Sequence, residues 1–282
     1  MNDSLALLSE AEKLARIADE ISATYATELA RVLRDLEREL RALALDAAAG
    51  SRTALSRAVR AGKLRRQLQQ ALRAAGYEHL ADTASGALLN RLVSQLGALR
   101  GAARLAEFTA TDGTRILALQ ALARLDLLGQ GEAIAHALWR TFAYGLFSQR
   151  PIAHLLDDLA TAIDVELAEA RTLYDTTVNI FGRQVEAMKA QDGDVFAYLG
   201  PLDRKTRPFC FEHVGKVYSK PAIDAMDNGQ LPDVFLTGGG WNCRHQFIAV
   251  SKVSELRELV DTDQRMPEVE LQRLELGGRK AA

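Results

Sequence analysis

The sequence predicts a mainly α-helical chain, with a long-helix N-terminal region followed by a small α+β, loop-rich C-terminal module. Three observations predict it. All six prolines, at 151, 201, 208, 221, 232 and 267, lie in the second half of the 282-residue chain, and proline opposes a helix interior by about 3 kcal/mol. The proline-free first 150 residues are dense in Ala, Leu, Arg and Glu, all good helix formers. From Asp192 onward glycine, proline and aromatic residues crowd together, the texture of turns and short strands.

The elements follow in order. Residues 4–48 carry Leu14, Ile17, Ile21, Tyr25, Leu29, Val32, Leu36, Leu40 and Leu43 at intervals of three and four, one apolar stripe along one helix. Arg34, Asp35, Glu37, Arg38 and Arg41 fall mostly off that stripe. At 1.5 Å per residue the helix extends roughly 60 Å. A single stripe of that length asks for a partner helix, from the same chain or from a second copy. Further helices are expected over 53–74, 79–107, 113–128, 131–147, 151–163 and 165–190, with Gly50, Gly76, Gly129 and Gly131 as breaks between them. Short β-prone pieces, Val195–Leu199, Lys216–Tyr218 and His245–Val250, then alternate with turns, as in a small α+β module. Residues 253–276 return to a helical pattern with seven acids against three arginines, and Arg279 and Lys280 sit in the tail. By texture the chain divides into a helical region 1–128, a helical lead-in 129–191, the α+β module 192–252, and an acidic helix with tail 253–282.

Composition excludes several classes. With 35 basic against 37 acidic residues, a net charge of −2, 48% hydrophobic and 26% charged residues, the chain is neither disordered, collagen-like nor a disulfide scaffold. No apolar run approaches the roughly 20 residues of a membrane span. The N-terminal MNDSLALLSEAEK carries acids where an export signal would carry an apolar core, so none is expected. Two cysteines in such a chain suit a reducing compartment or a metal.

The densest chemical constellation is Cys210-x2-His213 with Cys243-x-His245. Thiolate and imidazole are preferred zinc ligands, and a small module with few aliphatic residues gains most from a metal. The C-x-H spacing is uncommon for such a site, so part-buried thiols in a reducing compartment, or a disulfide, remain alternatives. A catalytic thiol would need a base and an orienting acid, and no nucleophile elbow surrounds either cysteine. Asp203, Glu212, Asp224 and Asp233 suit caps and turns as well as acid–base work. Gly238-Gly239-Gly240 lacks the lysine and helix start of a phosphate loop and reads as a flexible approach to Trp241. Glu268-x-Glu270 resembles the acidic pair of ADP-ribosylating enzymes, though an acidic helix face explains it as well. In the helical part, Arg52, Arg57, Arg60, Lys63, Arg65 and Arg66 fall within 15 residues that hold no acid. Such a face can lie along phosphates, or be a solvated face balanced by acidic helices.

One stretch is similar to a known family. Asp203-Arg-Lys-Thr206-Arg207-Pro208-Phe-Cys210, then Gly215-Lys216-Val217-Tyr218, then Asn242-Cys243-Arg244-His245 resembles the C-terminal signature of the phage Mu F-like family of head morphogenesis, or minor head, proteins. Upstream, Ser148–Leu159 and the threonine-bearing Ala170–Asn179 look like that family's helical lead-in. The resemblance covers about residues 130–250. The chain departs from the family pattern in having Gly and Trp before its second cysteine and His at 245. The resemblance implies a structural, non-enzymatic virion component near the portal, assembled in the host cytoplasm. Its partners would be portal and capsid or scaffolding proteins; apart from the resemblance, the basic helix suggests packaged DNA and the N-terminal stripe a second copy. Asp203, Thr206, Arg207, Pro208, Asn242 and Arg244 would then tie loops together, with Arg244 pairing Asp203. No cofactor is expected apart from a structural zinc on Cys210, His213, Cys243 and His245. The competing expectations are a metal-dependent or ADP-ribosyltransferase-like enzyme, and a DNA-binding accessory protein delivered with the genome through the basic helix.

Overall fold

A computed structural model describes the backbone of residues 3–49, 54–148 and 150–281, and the side chains of 4–42, 45, 63–148, 150–253 and 255–275. It is mainly helical, with a small antiparallel sheet in a loop-rich C-terminal region. Helix α1 (Asp3–Ala49) runs without interruption; α2 (Ala54–Ala74), α3 (Tyr77–Thr83), a π-helical turn (Ala84–Leu88), α4 (Leu89–Ala102), α5 (Ala110–Phe147) and α6 (Ile152–Ala187) follow. None of the described helices is long and apolar enough to cross a membrane. Two compact units group residues that are distant in sequence: 1–21 with 88–120 and 175–282, and 22–87 with 121–174.

In the second of these units the stripe of α1 is buried by the chain itself. Tyr25, Leu29, Val32, Leu36 and Leu40 are fully inaccessible. The Tyr25 ring stacks on Tyr174 with centroids 3.9 Å apart, and its hydroxyl donates to Gln130 Oε1 at 3.0 Å. Among the described residues of this unit, the stripe of α1 is thus covered from within the chain. Tyr77 donates to the Leu127 carbonyl at 2.7 Å, and Tyr174 to the Ala84 carbonyl at 3.0 Å, in the π-helical turn.

The breaks expected at Gly129 and Gly131 do not exist, because α5 continues through both. A side chain at Gly131 would overlap the Tyr77 ring, whose Cδ1 lies 2.7 Å from the position of a Cβ. Glycine serves close approach there, which offsets its roughly 1 kcal/mol helical cost. The helix starts at Ala110 rather than near Gly113 because Thr109 and Asp112 cap each other: Asp112 Oδ2 accepts from the Thr109 amide and hydroxyl, and the Asp112 amide donates to Thr109 Oγ1. Likewise α6 joins two expected helices into one. Gly76 does separate α2 from α3, with φ +95°; Gly50 lies outside the described residues.

The first unit holds the sheet. After α6 come β1 (Val195–Leu199), α7 (Pro208–His213), β2 (Val217–Ser219), α8 (Lys220–Asp224), α9 (Val234–Thr237), β3 (Gln246–Ala249), α10 (Ser254–Arg257) and α11 (Pro267–Ala281). The strand order is β2-β1-β3, antiparallel throughout, with Phe196 opposite Tyr218 and Tyr198 opposite Phe247. Phe196, Tyr198, Phe235 and Phe247 pack as one aromatic cluster, with centroids of neighbouring rings 4.6 to 5.7 Å apart. The single acidic helix expected over 253–276 is divided, since Pro267 starts a new helix and Met266 is buried just before it.

This unit also stores charge inside. Arg100 Nη1 lies 2.8 Å from Glu186 Oε2, with both side chains under 5% exposed. Burial pushes Glu186 up, to about 7, more than Arg100 pulls it down. Nearby, Lys189 donates to Asp112 at 2.8 Å and holds its carboxyl well below the usual range. Removing one member of a buried pair leaves the other uncompensated. Arg100→Ala is therefore expected to cost about 3–5 kcal/mol in urea unfolding, and Arg100→Met combined with Glu186→Leu to recover most of that loss.

Candidate functional site

The C-terminal half of α6 builds the platform. Val178, Phe181 and Val185 form one buried face, while Thr176, Asn179, Arg183 and Glu186, spaced three, four and three apart, form a second buried face that is polar. Arg183 is 2% exposed. Its Nε donates to the His245 carbonyl at 2.9 Å, Nη1 to Leu236 at 3.1 Å, and Nη2 to Cys243 at 2.6 Å. One guanidinium thereby sets the path of the loop between α9 and β3. Thr176 adds a clamp: its hydroxyl donates to Asn242 Oδ1 at 3.2 Å and accepts from the Asn242 amide at 3.1 Å. Asn242 adopts φ +56°, a left-handed conformation that asparagine tolerates.

That loop carries Gly238-Gly239-Gly240, and close approach explains the glycines better than flexibility toward Trp241. A side chain at Gly239 would overlap the sulfur of Cys210, and one at Gly238 (φ +58°) would sit 2.9 Å from both Cys243 Sγ and Arg183 Nη2. The absent side chains make room for two sulfurs.

Cys210 on α7 and Cys243 and His245 just before β3 come together, their ligand atoms all within 4.8 Å of one another. The sulfurs are 3.7 Å apart, and Cys243 Sγ lies 3.9 Å from His245 Nδ1. The Tyr198 hydroxyl on β1 lies 3.4 Å from Cys210 Sγ and 3.2 Å from Cys243 Sγ, and the Tyr198 ring stacks on the imidazole at 5.2 Å. All four residues are at most 4% exposed, and both cysteines are free. In an extended chain Cys243 and His245 face one side and Arg244 the other, so the C-x-H spacing suits the cluster. His245 Nε2 is buried without a hydrogen-bond partner.

The electrostatics of the sulfurs are lopsided. Burial opposes ionisation of Cys243, but the Cys210 thiol, Arg183 and His245 outweigh it and hold Cys243 well below an ordinary thiol. Cys210 is raised by its hydrogen bond to that sulfur, then by burial. Tyr198 is raised by burial and by both cysteines. Of the two sulfurs, Cys243 is the one its surroundings favour as a thiolate. A sulfur sealed this way has no path to a bulky substrate, but it can hold a proton or a soft cation.

The fourth member of the set read from the sequence lies elsewhere. His213 Nδ1 is 2.7 Å from the Tyr218 hydroxyl, its ring lies 4.3 Å from Phe209, and burial lowers its pKa. The remaining signature residues are spent on loops. Asp203 accepts from the Lys205 amide at 2.8 Å and from Arg244 Nη2 at 2.8 and 2.7 Å. Thr206 Oγ1 accepts from the Asp203 amide at 2.8 Å and donates to the Pro201 carbonyl at 3.1 Å. Arg207 donates to Gly239 at 3.1 Å and to Gln230 at 2.9 Å, and Pro208 opens α7. Arg244 Nη1 also reaches Asp19 of α1 at 3.5 Å. Asp233 caps α9. Of the basic set, Lys63, Arg65 and Arg66 are exposed on α2, with Arg65 5.9 Å from the Trp139 ring centroid. Arg52 and the side chains of Arg57 and Arg60 lie outside the described residues.

Arg183 and Tyr198 escaped the sequence reading. The legible signal for Arg183 was the helical spacing of Thr176, Asn179, Arg183 and Glu186; Tyr198 looks in sequence like any strand aromatic. None of the family models, curated proteins or solved structures compared with this chain matches it.

Burial would push Asp203 up, but Arg244, the Lys205 amide and Thr206 together hold it below the usual carboxylate range. A depressed carboxyl stabilises the fold above its unfolded pKa, and that contribution fades as pH falls through the folded value. Because Asp203 is over a third exposed, Arg244→Ala is expected to cost only about 1 kcal/mol at pH 7. The difference from the parent should shrink below about pH 4, read by thermal unfolding across pH.

Proposed function

We propose that this chain is a structural component of a tailed-phage head, lying near the portal and assembled in the host cytoplasm, without catalysis. One observation carries the reading: the signature side chains are consumed in holding the module together. Asp203, Arg207, Asn242 and Arg244 each bond to another loop or helix of the same unit, Thr206 ties its own loop together, and the cysteines are sealed. A motif used this way serves as a rigid docking piece, which agrees with the family resemblance over residues 130–250. Portal and capsid or scaffolding proteins are the partners this reading names.

Gel analysis of purified particles from a phage carrying this sequence tests the proposal. The chain is expected as a minor band in procapsids or virions, and its absence from both overturns the reading.

The exposed Lys63, Arg65 and Arg66 on α2 are the surface this reading assigns to packaged DNA. Phosphate contacts release counterions, so binding should weaken steeply with salt and show no sequence preference. Replacing all three by glutamate is expected to lower the slope of log affinity against log salt by about 3, at roughly 0.9 per lost contact. An unchanged slope counts against this surface.

A further inference from the structure

We infer that Cys210, Cys243 and His245 form a binding site for a thiolate-preferring divalent cation, zinc above all, with the Tyr198 hydroxyl at the fourth corner. The inference stands apart from the head-protein reading, since a structural metal suits any function.

Distances carry it. With Zn–S near 2.3 Å and Zn–N near 2.0 Å, a tetrahedral site has a sulfur–sulfur edge of about 3.8 Å and a sulfur–nitrogen edge of about 3.5 Å. The sulfurs are 3.7 Å apart, Cys243 Sγ is 3.9 Å from His245 Nδ1, and all three ligand atoms lie within 4.8 Å of one another. A disulfide would need the sulfurs near 2.05 Å. The Tyr198 oxygen, 3.4 and 3.2 Å from the two sulfurs, closes the remaining side. His245 Nδ1 is the nitrogen that faces Cys243 Sγ and would bind the ion; the other ring nitrogen, Nε2, is buried without a hydrogen-bond partner.

Chemistry selects the ion. Two sulfurs and an imidazole favour zinc over the oxygen-seeking magnesium and calcium. Closure of the site leaves no open position for substrate, which makes the metal structural. Its effect would be to join α7, β1 and the loop before β3, three elements of a few residues each. The sulfurs bind as thiolates, so loading releases protons and is favoured as pH rises.

Elemental analysis of the reduced full-length chain, purified without chelator, is expected to find about one zinc per molecule. Titrating the two thiols with p-hydroxymercuribenzoate should release that zinc in step with sulfur modification. Cobalt(II) added to the metal-stripped chain should give a sulfur-to-cobalt charge-transfer band and the intense d–d absorption of a four-coordinate ion. His245→Gln should shift the d–d bands while keeping charge transfer. Since loss of a cysteine can unfold the module, the readings on the unmutated chain decide. Zinc far below one per chain together with no charge-transfer band overturns the proposal, as does recovery of Cys210 and Cys243 as a disulfide in the chain as first isolated, before any metal is stripped.

Discussion

A buried guanidinium must spend its donors on protein oxygens, and Arg183 meets that demand with three carbonyls from Leu236, Cys243 and His245. Everything distinctive about the C-terminal region hangs on this. The loop between α9 and β3 has few apolar side chains of its own, so its course is set by where its carbonyls must go. Held there, Cys243 and His245 turn toward Cys210 while Arg244 turns outward to Asp203. Losing those donors would leave three carbonyls buried and unpaired, a heavier penalty than any single contact is worth.

The same logic recurs with opposite sign. Arg100 and Glu186 neutralise each other in the interior, while Lys189 answers Asp112 at the start of α5. A chain of near-zero net charge thus keeps several charges inside, each matched to a partner. Such pairs contribute little net stability compared with an apolar replacement, but a mispaired arrangement is costly, and so they select one packing among many.

Much of this was legible in the sequence. The stripe from Leu14 to Leu40 marked α1 because its helical period is strong, and Val195–Leu199 marked β1 to the residue because it is a short apolar run bounded by turn residues. The helix breaks at Gly129 and Gly131 were misread, since a turn glycine and a glycine admitting the Tyr77 ring look the same in one dimension. His213 was grouped with the cysteines by spacing alone, yet Tyr218 on the next strand takes its nitrogen. Arg183 carries no local mark of burial. Only the polar residues before and after it, at helical intervals, hint that α6 has a second inward face. The partner of the α1 stripe was likewise undecidable, because a stripe specifies that it be covered and not by what.

The ties that organise the module are long in sequence: Thr176 to Asn242 spans 66 residues, Arg183 to Cys243 spans 60, and Asp203 to Arg244 spans 41. Synthesis therefore completes the α6 platform well before its carbonyl partners exist. During that interval β1 can pair with β2, but its other edge waits for Gln246–Ala249. An unpaired edge on an apolar central strand is a template for association with other chains. Nascent chains stalled before residue 246 would carry that open edge, so the last short strand of the sheet is also what ends the chain's vulnerability to aggregation.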